Sequence, residues 1–140
     1  MTPQAIVLYD HDCGFCRWTL GVLLLCDRRR SLWPAPIEGE VGDRWLAGMP
    51  VEERLASWHL VEAGGRVSSA GSGLAVAASY LPGGTVVAPL LQRAPGTVER
   101  AYRFVADHRS SFSRLVPGWA VRRATARVEK RRGGEPPVWA

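Results

Sequence analysis

Two cysteines separated by two residues, Cys13 and Cys16, are the side chains of this sequence best suited to chemistry. Residues three positions apart on a helix lie on the same side of it, so the two thiols can close a disulfide ring. The first turn of a helix also presents unpaired N–H groups and the positive end of the helix dipole, which stabilise a thiolate. Thiols in such positions have pKa values of roughly 3.5–7.5 and are nucleophilic near neutral pH. The pair therefore predicts thiol–disulfide exchange.

The elements around the pair are predicted to place it at the start of a helix. An apolar run at residues 5–9 predicts a short buried strand. The polar residues 10–12 end that run, and apolar residues then recur at helical spacing beyond Cys13. Asp12 is predicted to cap the helix from the position before Cys13. We predict that Cys13, nearer the helix start, is the nucleophile and that Cys16 is the resolving thiol.

This motif resembles the signature of a known family. The motif formed by Asp10, Cys13 and Cys16 after an apolar strand resembles the signature of the DCC family of predicted thiol-disulfide oxidoreductases, a thioredoxin-like group. Shorter likenesses follow over about the first four-fifths of the chain, at residues 33–37, 58–61, 65–67, 81–83 and 102–109. The resemblance implies a thioredoxin-like fold and disulfide exchange, for which we expect no bound organic cofactor and no metal.

Several residues around the cysteines are predicted to support them: Asp10, Asp12, Gly14, Phe15 and Arg17. The positive charge of Arg17 favours a thiolate, whereas nearby carboxylates disfavour one, and Asp10 is also a candidate acceptor for the proton of the buried thiol. The predicted enzyme is a thiol-disulfide oxidoreductase of the protein-disulfide reductase kind. Because the charges oppose each other, the sequence leaves the direction of electron flow open.

The rest of the chain predicts an α/β fold of thioredoxin-like order, a strand–helix–strand unit followed by a β-hairpin and a helix. Residues 32–37 are predicted to form the second strand, and Pro34 and Pro36 place it at a sheet edge or a bulge. Residues 58–62 and 66–69 flank a glycine turn and predict the hairpin. The helix that follows the hairpin is predicted at residues 73–80. Additional C-terminal helices are predicted at residues 86–93, 97–107 and 120–132.

The charge distribution predicts a near-neutral domain followed by a basic tail. A chain of 140 residues with 46% apolar residues can bury one core. Residues 120–140 contain six basic and two acidic residues, so most of the net charge of +5 lies there. We therefore predict a thioredoxin-like domain at residues 1–119 and a basic tail at 120–140, first helical and then frayed. The thin apolar face of that helix favours a solvated tail over weak contact with an anionic surface or nonspecific nucleic-acid binding.

Cys26 is predicted to stand apart from the dithiol. It lies ten residues beyond Cys16, about 15 Å along a helix axis, too far for a disulfide, and is expected to be a small buried hydrophobe. A total of three cysteines is a poor basis for a disulfide framework, which favours the cytoplasm. The sequence predicts no signal peptide and no transmembrane segment.

Two alternatives use the same cysteines differently. In a zinc-binding module, Cys13 and Cys16 would join a histidine, although no second ligand pair accompanies them and His59 is predicted to be structural. A redox-inert interaction domain with a basic tail would be unaffected when both cysteines become serine. For the redox function we expect a disulfide-containing protein or small thiol as substrate, an unidentified reductant as second partner, and no specific nucleic acid.

Overall fold

The computed structural model describes residues 2–140; Met1, the first residue of the predicted domain, lies outside them. The strands are β1 (Ala5–Tyr9), β2 (Leu32–Pro36), β3 (His59–Glu62) and β4 (Val67–Ser69). The helices are α1 (Gly14–Cys26), α2 (Glu40–Trp45), α3 (Val51–Ala56), α4 (Ala70–Tyr80), α5 (Gly84–Arg93), α6 (Pro95–Asp107), α7 (Arg109–Leu115) and α8 (Gly118–Arg132). This order confirms the predicted α/β, thioredoxin-like arrangement with additional C-terminal helices.

The four strands form one mixed sheet in the order β2-β1-β3-β4. β1 pairs in parallel with β2 and antiparallel with β3, and β3 pairs antiparallel with β4. The edge position of β2 confirms the prediction from Pro34 and Pro36, because a proline has no N–H to donate to a neighbouring strand. The predicted hairpin is confirmed as β3 and β4, and the two strands turn at Gly65 with a positive φ of 79°.

Strand β1 is buried on both faces because helices cover both sides of the sheet. Ala5, Val7 and Tyr9 point to one side, where they pack in a core with residues of α1, α4 and α8. Ile6 and Leu8 point to the other side and pack in a second core with residues of α2, α3 and the C-terminal end of the chain. β1 is therefore a rigid base for the loop that leads from Tyr9 into α1.

Helix α8 packs along α1 and belongs to the first core, which contradicts the predicted solvated tail. Its small apolar residues Ala124 and Val128 are buried. The two helices approach closely at Gly21, where an added Cβ would lie 2.5 Å from the Cβ of Ala124. A thin apolar face is therefore sufficient to dock a strongly basic helix. The predicted boundary at residues 119 and 120 falls inside α8, and the division into a domain and a tail stays a prediction.

The residues that follow α8 are not helical, yet they return to the second core. Trp139 packs there edge-on against Trp45, with 5.7 Å between the ring centroids. Arg44 donates a hydrogen bond to the carbonyl of Ala140 at 2.7 Å. The end of the chain is thereby held against α2.

Helix α4 packs on β3 and β4, α5 and α6 pack on α4, and α7 packs on α1 and α6. The carboxylate of Glu99 in α6 accepts a hydrogen bond from the N–H of Gly71 at 2.9 Å, which places a negative charge at the N-terminus of α4. α4, α5 and α6 each begin two or three residues before their predicted starts. Within residues 2–140, no helix has the length and apolar character needed to cross a membrane.

Candidate active site

The two cysteines lie at the junction between β1 and α1, as predicted. Their sulfur atoms are at disulfide-bonding distance and their Cα atoms are 5.2 Å apart, within the range that a disulfide spans. Cys13 is the N-cap residue of α1, and the N–H of Cys16 donates a hydrogen bond to the Cys13 sulfur at 3.2 Å. The Cys13 sulfur therefore occupies the position at which the start of a helix stabilises negative charge.

Asp12 does not cap α1, contrary to prediction, because Cys13 occupies the N-cap position and uses its own sulfur as the acceptor. Asp12 is exposed, and its N–H donates a hydrogen bond to the carboxylate of Asp10 at 3.0 Å. Aspartate side chains commonly form such turns with the backbone two residues on. The carboxylate oxygens of Asp10, Asp12 and Glu38 all lie within 4.8 Å of one another. The loop that precedes the dithiol is thus negatively charged.

Arg17 connects this loop to helix α8. Its guanidinium donates hydrogen bonds to the carbonyl of His11 and, at 3.2 Å, to the hydroxyl of Thr125. A Cβ added to Gly14 would lie 3.8 Å from a guanidinium nitrogen of Arg17 and 3.7 Å from a methyl group of Val121. The positive charge of Arg17 therefore lies beside the Cys-x-x-Cys motif.

Sequence reasoning did not find Thr125 or Val121 as neighbours of the site. Thr125 is 108 residues beyond Arg17 in the sequence. The helix that contains Thr125 and Val121 was predicted to be solvated. The only available signal was the apolar spacing of Val121, Ala124 and Val128, which indicates a narrow helix face without naming what it packs against.

Phe15, between the two cysteines, belongs to an aromatic cluster. Its ring centroid lies 5.9 Å from that of Trp18 and 6.0 Å from that of Phe112 in α7. Phe112 in turn contacts Phe104 of α6, with 6.5 Å between ring centroids. The first turn of α1 therefore has an aromatic wall on the side where α6 and α7 pack.

Comparison with known families agrees with this geometry. A family model described as DCC1-like thiol-disulfide oxidoreductase matches residues 7–115. The chain belongs to this family. The matched range contains both cysteines and ends where α7 ends, so the resemblance predicted from the sequence is confirmed and α8 lies beyond it. Neither the curated proteins nor the solved structures compared with the chain gave a match.

The zinc alternative requires a third ligand beside the two cysteines. The one group of three potential metal ligands within residues 2–140 contains neither cysteine nor histidine and consists of Asp10, Asp12 and Glu38. In this disulfide-bonded geometry, no histidine or carboxylate of residues 2–140 forms a ligand group with Cys13 and Cys16.

His59 is buried in β3 and has a structural role, as predicted. Its Nε2 lies 2.9 Å from the carbonyl of Arg54 and its Nδ1 lies 2.5 Å from the hydroxyl of Ser69. Because a carbonyl can only accept, Nε2 carries the proton and Nδ1 accepts from the hydroxyl. Burial lowers the pKa of His59 below its ordinary value of 6.5.

Cys26 is exposed at the last position of α1, so its predicted burial is wrong. The buried residues of α1 are Leu20, Gly21 and Leu24. Cys26 follows Leu24 by two positions, about 200° around the helix, and so it faces solvent. Its place at the far end of α1 agrees with the prediction that it cannot pair with the dithiol. The accessible thiol of Cys26 must be removed in any assay of the other two.

Proposed function

We propose that this chain is a protein-disulfide reductase in which Cys13 is the nucleophile and Cys16 the resolving thiol. The observation that carries the proposal is the N-cap position of Cys13 within a dithiol at disulfide-bonding distance. The hydrogen bond from the Cys16 N–H and the helix dipole both favour a thiolate on Cys13. Membership of the family supports thiol–disulfide exchange, and the roles of the two cysteines and the reducing direction are the additions proposed here.

In the proposed cycle, the Cys13 thiolate attacks one sulfur of a substrate disulfide and forms a mixed disulfide with it. The other substrate sulfur leaves as a thiolate and takes a proton from solvent. Cys16 then loses its proton and attacks the Cys13 sulfur, which breaks the mixed disulfide and releases the second substrate thiol. The substrate gains two electrons and two protons, and the enzyme retains a Cys13–Cys16 disulfide. A second thiol reductant restores the dithiol by the same exchange.

The neighbouring residues have proposed supporting roles. Arg17 favours the Cys13 thiolate through its charge, and Asp10 is the proposed acceptor for the Cys16 proton. Asp12 shapes the loop through its hydrogen bond to Asp10, while Gly14 and Phe15 form the first turn between the sulfurs. The reducing direction agrees with the cytoplasmic location predicted from the cysteine count.

A redox titration tests the function. The Cys26→Ser variant, which has no other thiol than the dithiol, is equilibrated across a glutathione redox series, and thiol content, intact mass and zinc content are read on the same samples. We expect one reversible two-electron transition, lost when Cys13→Ser is added. A reduction potential of the dithiol well below that of the cytosolic glutathione pool supports a reductase. A potential well above it indicates a protein that oxidises its substrates. Stoichiometric zinc that protects the thiols, or the absence of any transition, would overturn the proposal.

A trapping experiment tests the roles of the cysteines. With a disulfide-linked peptide as substrate, Cys16→Ser is expected to accumulate a mixed disulfide through Cys13, because the resolving step is removed. Cys13→Ser is expected to accumulate none. Both variants contain Cys26→Ser as well. The reverse pattern would assign the nucleophile to Cys16.

A further inference from the structure

An apolar groove of about 450 Å³ opens beside the dithiol, between α1, α7 and the start of α8. The residues that line it are Phe15, Trp18, Phe112, Leu115, Val116, Pro117, Trp119 and Ala120. None of these side chains is charged. Leu115 and Trp119 are 77% and 58% exposed, so nothing within residues 2–140 covers the outer part of the groove.

The groove adjoins the helical turn that contains the dithiol. Phe15 lies between Cys13 and Cys16 in the motif and is also part of the groove wall. Its ring stacks on that of Phe112, and both rings line the groove. An apolar side chain that enters the groove would therefore contact the turn of α1 in which the two cysteines lie.

The start of α8 is held rigidly relative to the site. Thr125 in α8 accepts a hydrogen bond from Arg17 in α1, and Val121 lies against the position of Gly14. Trp119 and Ala120 precede these residues in the same helix. The wall that they form is therefore anchored to the same helix that begins at the dithiol.

We infer that this groove binds a large apolar or aromatic side chain of a polypeptide substrate, close in its sequence to the cysteine whose disulfide is exchanged. The inference rests on the proposed function and names the substrate class of the same site. A small charged thiol such as glutathione finds no partner for its carboxylates among the uncharged lining residues. A cysteine flanked by apolar residues, as exposed in an unfolded or partly folded protein, fits both the apolar walls and the adjacent sulfurs.

The groove extends beyond the part of the chain that matches the family model. Half of the lining residues, Val116, Pro117, Trp119 and Ala120, lie outside the range that matches the family. The family match therefore accounts for disulfide exchange, and the residues that follow it supply one side of the groove.

The test compares two disulfide-linked peptides that differ only in a leucine or a serine beside the cysteine, with bis(2-hydroxyethyl) disulfide as a small uncharged probe. In the Cys26→Ser background we expect kcat/KM to be about tenfold higher for the leucine peptide than for the serine peptide, because its KM is lower while kcat is similar. A tenfold ratio corresponds to about 1.4 kcal/mol. Exchange with the probe but no difference between the peptides would overturn the groove proposal alone. No exchange with any of the three substrates would overturn the proposed function itself.

Matched variants locate the preference. Leu115→Ser and Trp119→Ser are expected to reduce the ratio between the two peptides to about twofold, while circular dichroism and the thermal midpoint show that both variants are folded. Leu90→Ser is the control, because Leu90 in α5 is 58% exposed and lies outside the groove, and its ratio should remain about tenfold. An unchanged ratio in the groove variants would contradict the proposal. So would a dimer in sedimentation that Trp119→Ser dissociates, since the groove would then bind a second copy of the chain.

Discussion

The carboxylate of Asp27 lies 2.8 Å from the guanidinium of Arg131 and joins the end of α1 to the end of α8. The Asp27 side chain is fully buried and that of Arg131 is 16% exposed. The two carboxylate oxygens of Asp27 also accept hydrogen bonds from the N–H groups of Ser31 and Leu32, at 3.0 and 2.9 Å. A single ion pair therefore fixes α1, the start of β2 and α8 relative to one another.

Removing the charge of Arg131 should destabilise the fold strongly. Arg131→Met leaves the buried carboxylate of Asp27 without its partner, and we expect a loss of about 3 kcal/mol in the free energy of unfolding, measured with urea. Arg132→Met is the control, because Arg132 forms an exposed ion pair with Glu129 and its loss should cost less than about 1 kcal/mol. Equal losses in the two variants would contradict this role of the buried pair.

Gly21→Ala should also destabilise the protein, although alanine is normally the better helix former. The added Cβ would meet Ala124 in α8, and separating the two helices should cost roughly 1–3 kcal/mol. Gly96→Ala in α6 is the matched control, since no atom lies within 4 Å of its added Cβ. We expect that variant to gain up to about 1 kcal/mol. A stabilised Gly21→Ala variant in urea unfolding would show that α8 can move away from α1 at no cost.

The lowered pKa of His59 predicts a loss of stability in acid. Burial favours the neutral ring in the folded state, whereas the unfolded chain protonates near pH 6.5. The stabilisation by the neutral ring is thus complete above pH 6.5 and declines as the pH falls through that value, because the unfolded state binds the proton first. Between pH 7.5 and 5.5 we therefore expect His59→Gln to lose less stability than the unaltered chain, measured by urea unfolding at each pH.

The charge of Arg17 should control the reactivity of Cys13. In the reduced Cys26→Ser background, Arg17→Met is expected to slow alkylation by iodoacetamide at pH 7 about threefold and to move the pH profile upward, because a nearby positive charge favours the thiolate. Thr125→Val removes one hydrogen bond of Arg17 but keeps its charge, so it should leave the profile nearly unchanged. If Thr125→Val slows alkylation as much as Arg17→Met does, the reactivity of Cys13 depends on how Arg17 is held and the prediction based on its charge is wrong.

The first half of the fold could be predicted because its signals are local. The apolar run of β1, the prolines of β2 and the glycine turn of the hairpin each depend on neighbouring residues. The position of the dithiol at the start of α1 follows from the same local pattern. The cap was mispredicted because aspartate and cysteine compete for one position, and Cys13 occupies it with its own sulfur as acceptor.

The contacts of α8 could not be predicted, because they depend on residues far apart in the chain. The ion pair between Asp27 and Arg131 joins residues separated by 104 positions. The close approach of α1 and α8 at Gly21 is possible because glycine has no Cβ. A basic helix with few apolar residues is ordinarily solvated. The groove beside Phe15 was missed for the same reason, since its two walls come from opposite ends of the sequence.

The outer edge of β2 follows from its hydrogen bonds to β1. The N–H of Ile37 donates to the carbonyl of Tyr9, and backbone groups point alternately to the two sides along a strand. The backbone groups of the alternate residues Leu32, Pro34 and Pro36 therefore point away from β1 towards the edge.

No main-chain donor is free along this edge. Asp27 accepts from the N–H of Leu32, Arg131 donates to its carbonyl, and the two prolines have no N–H. Another strand beside β2 consequently finds no main-chain donor and cannot form a complete ladder there, whether it belongs to an aggregating copy or to an extended peptide. A polypeptide that approaches this edge of the sheet can form main-chain hydrogen bonds only by donating its N–H groups to the carbonyls of the two prolines.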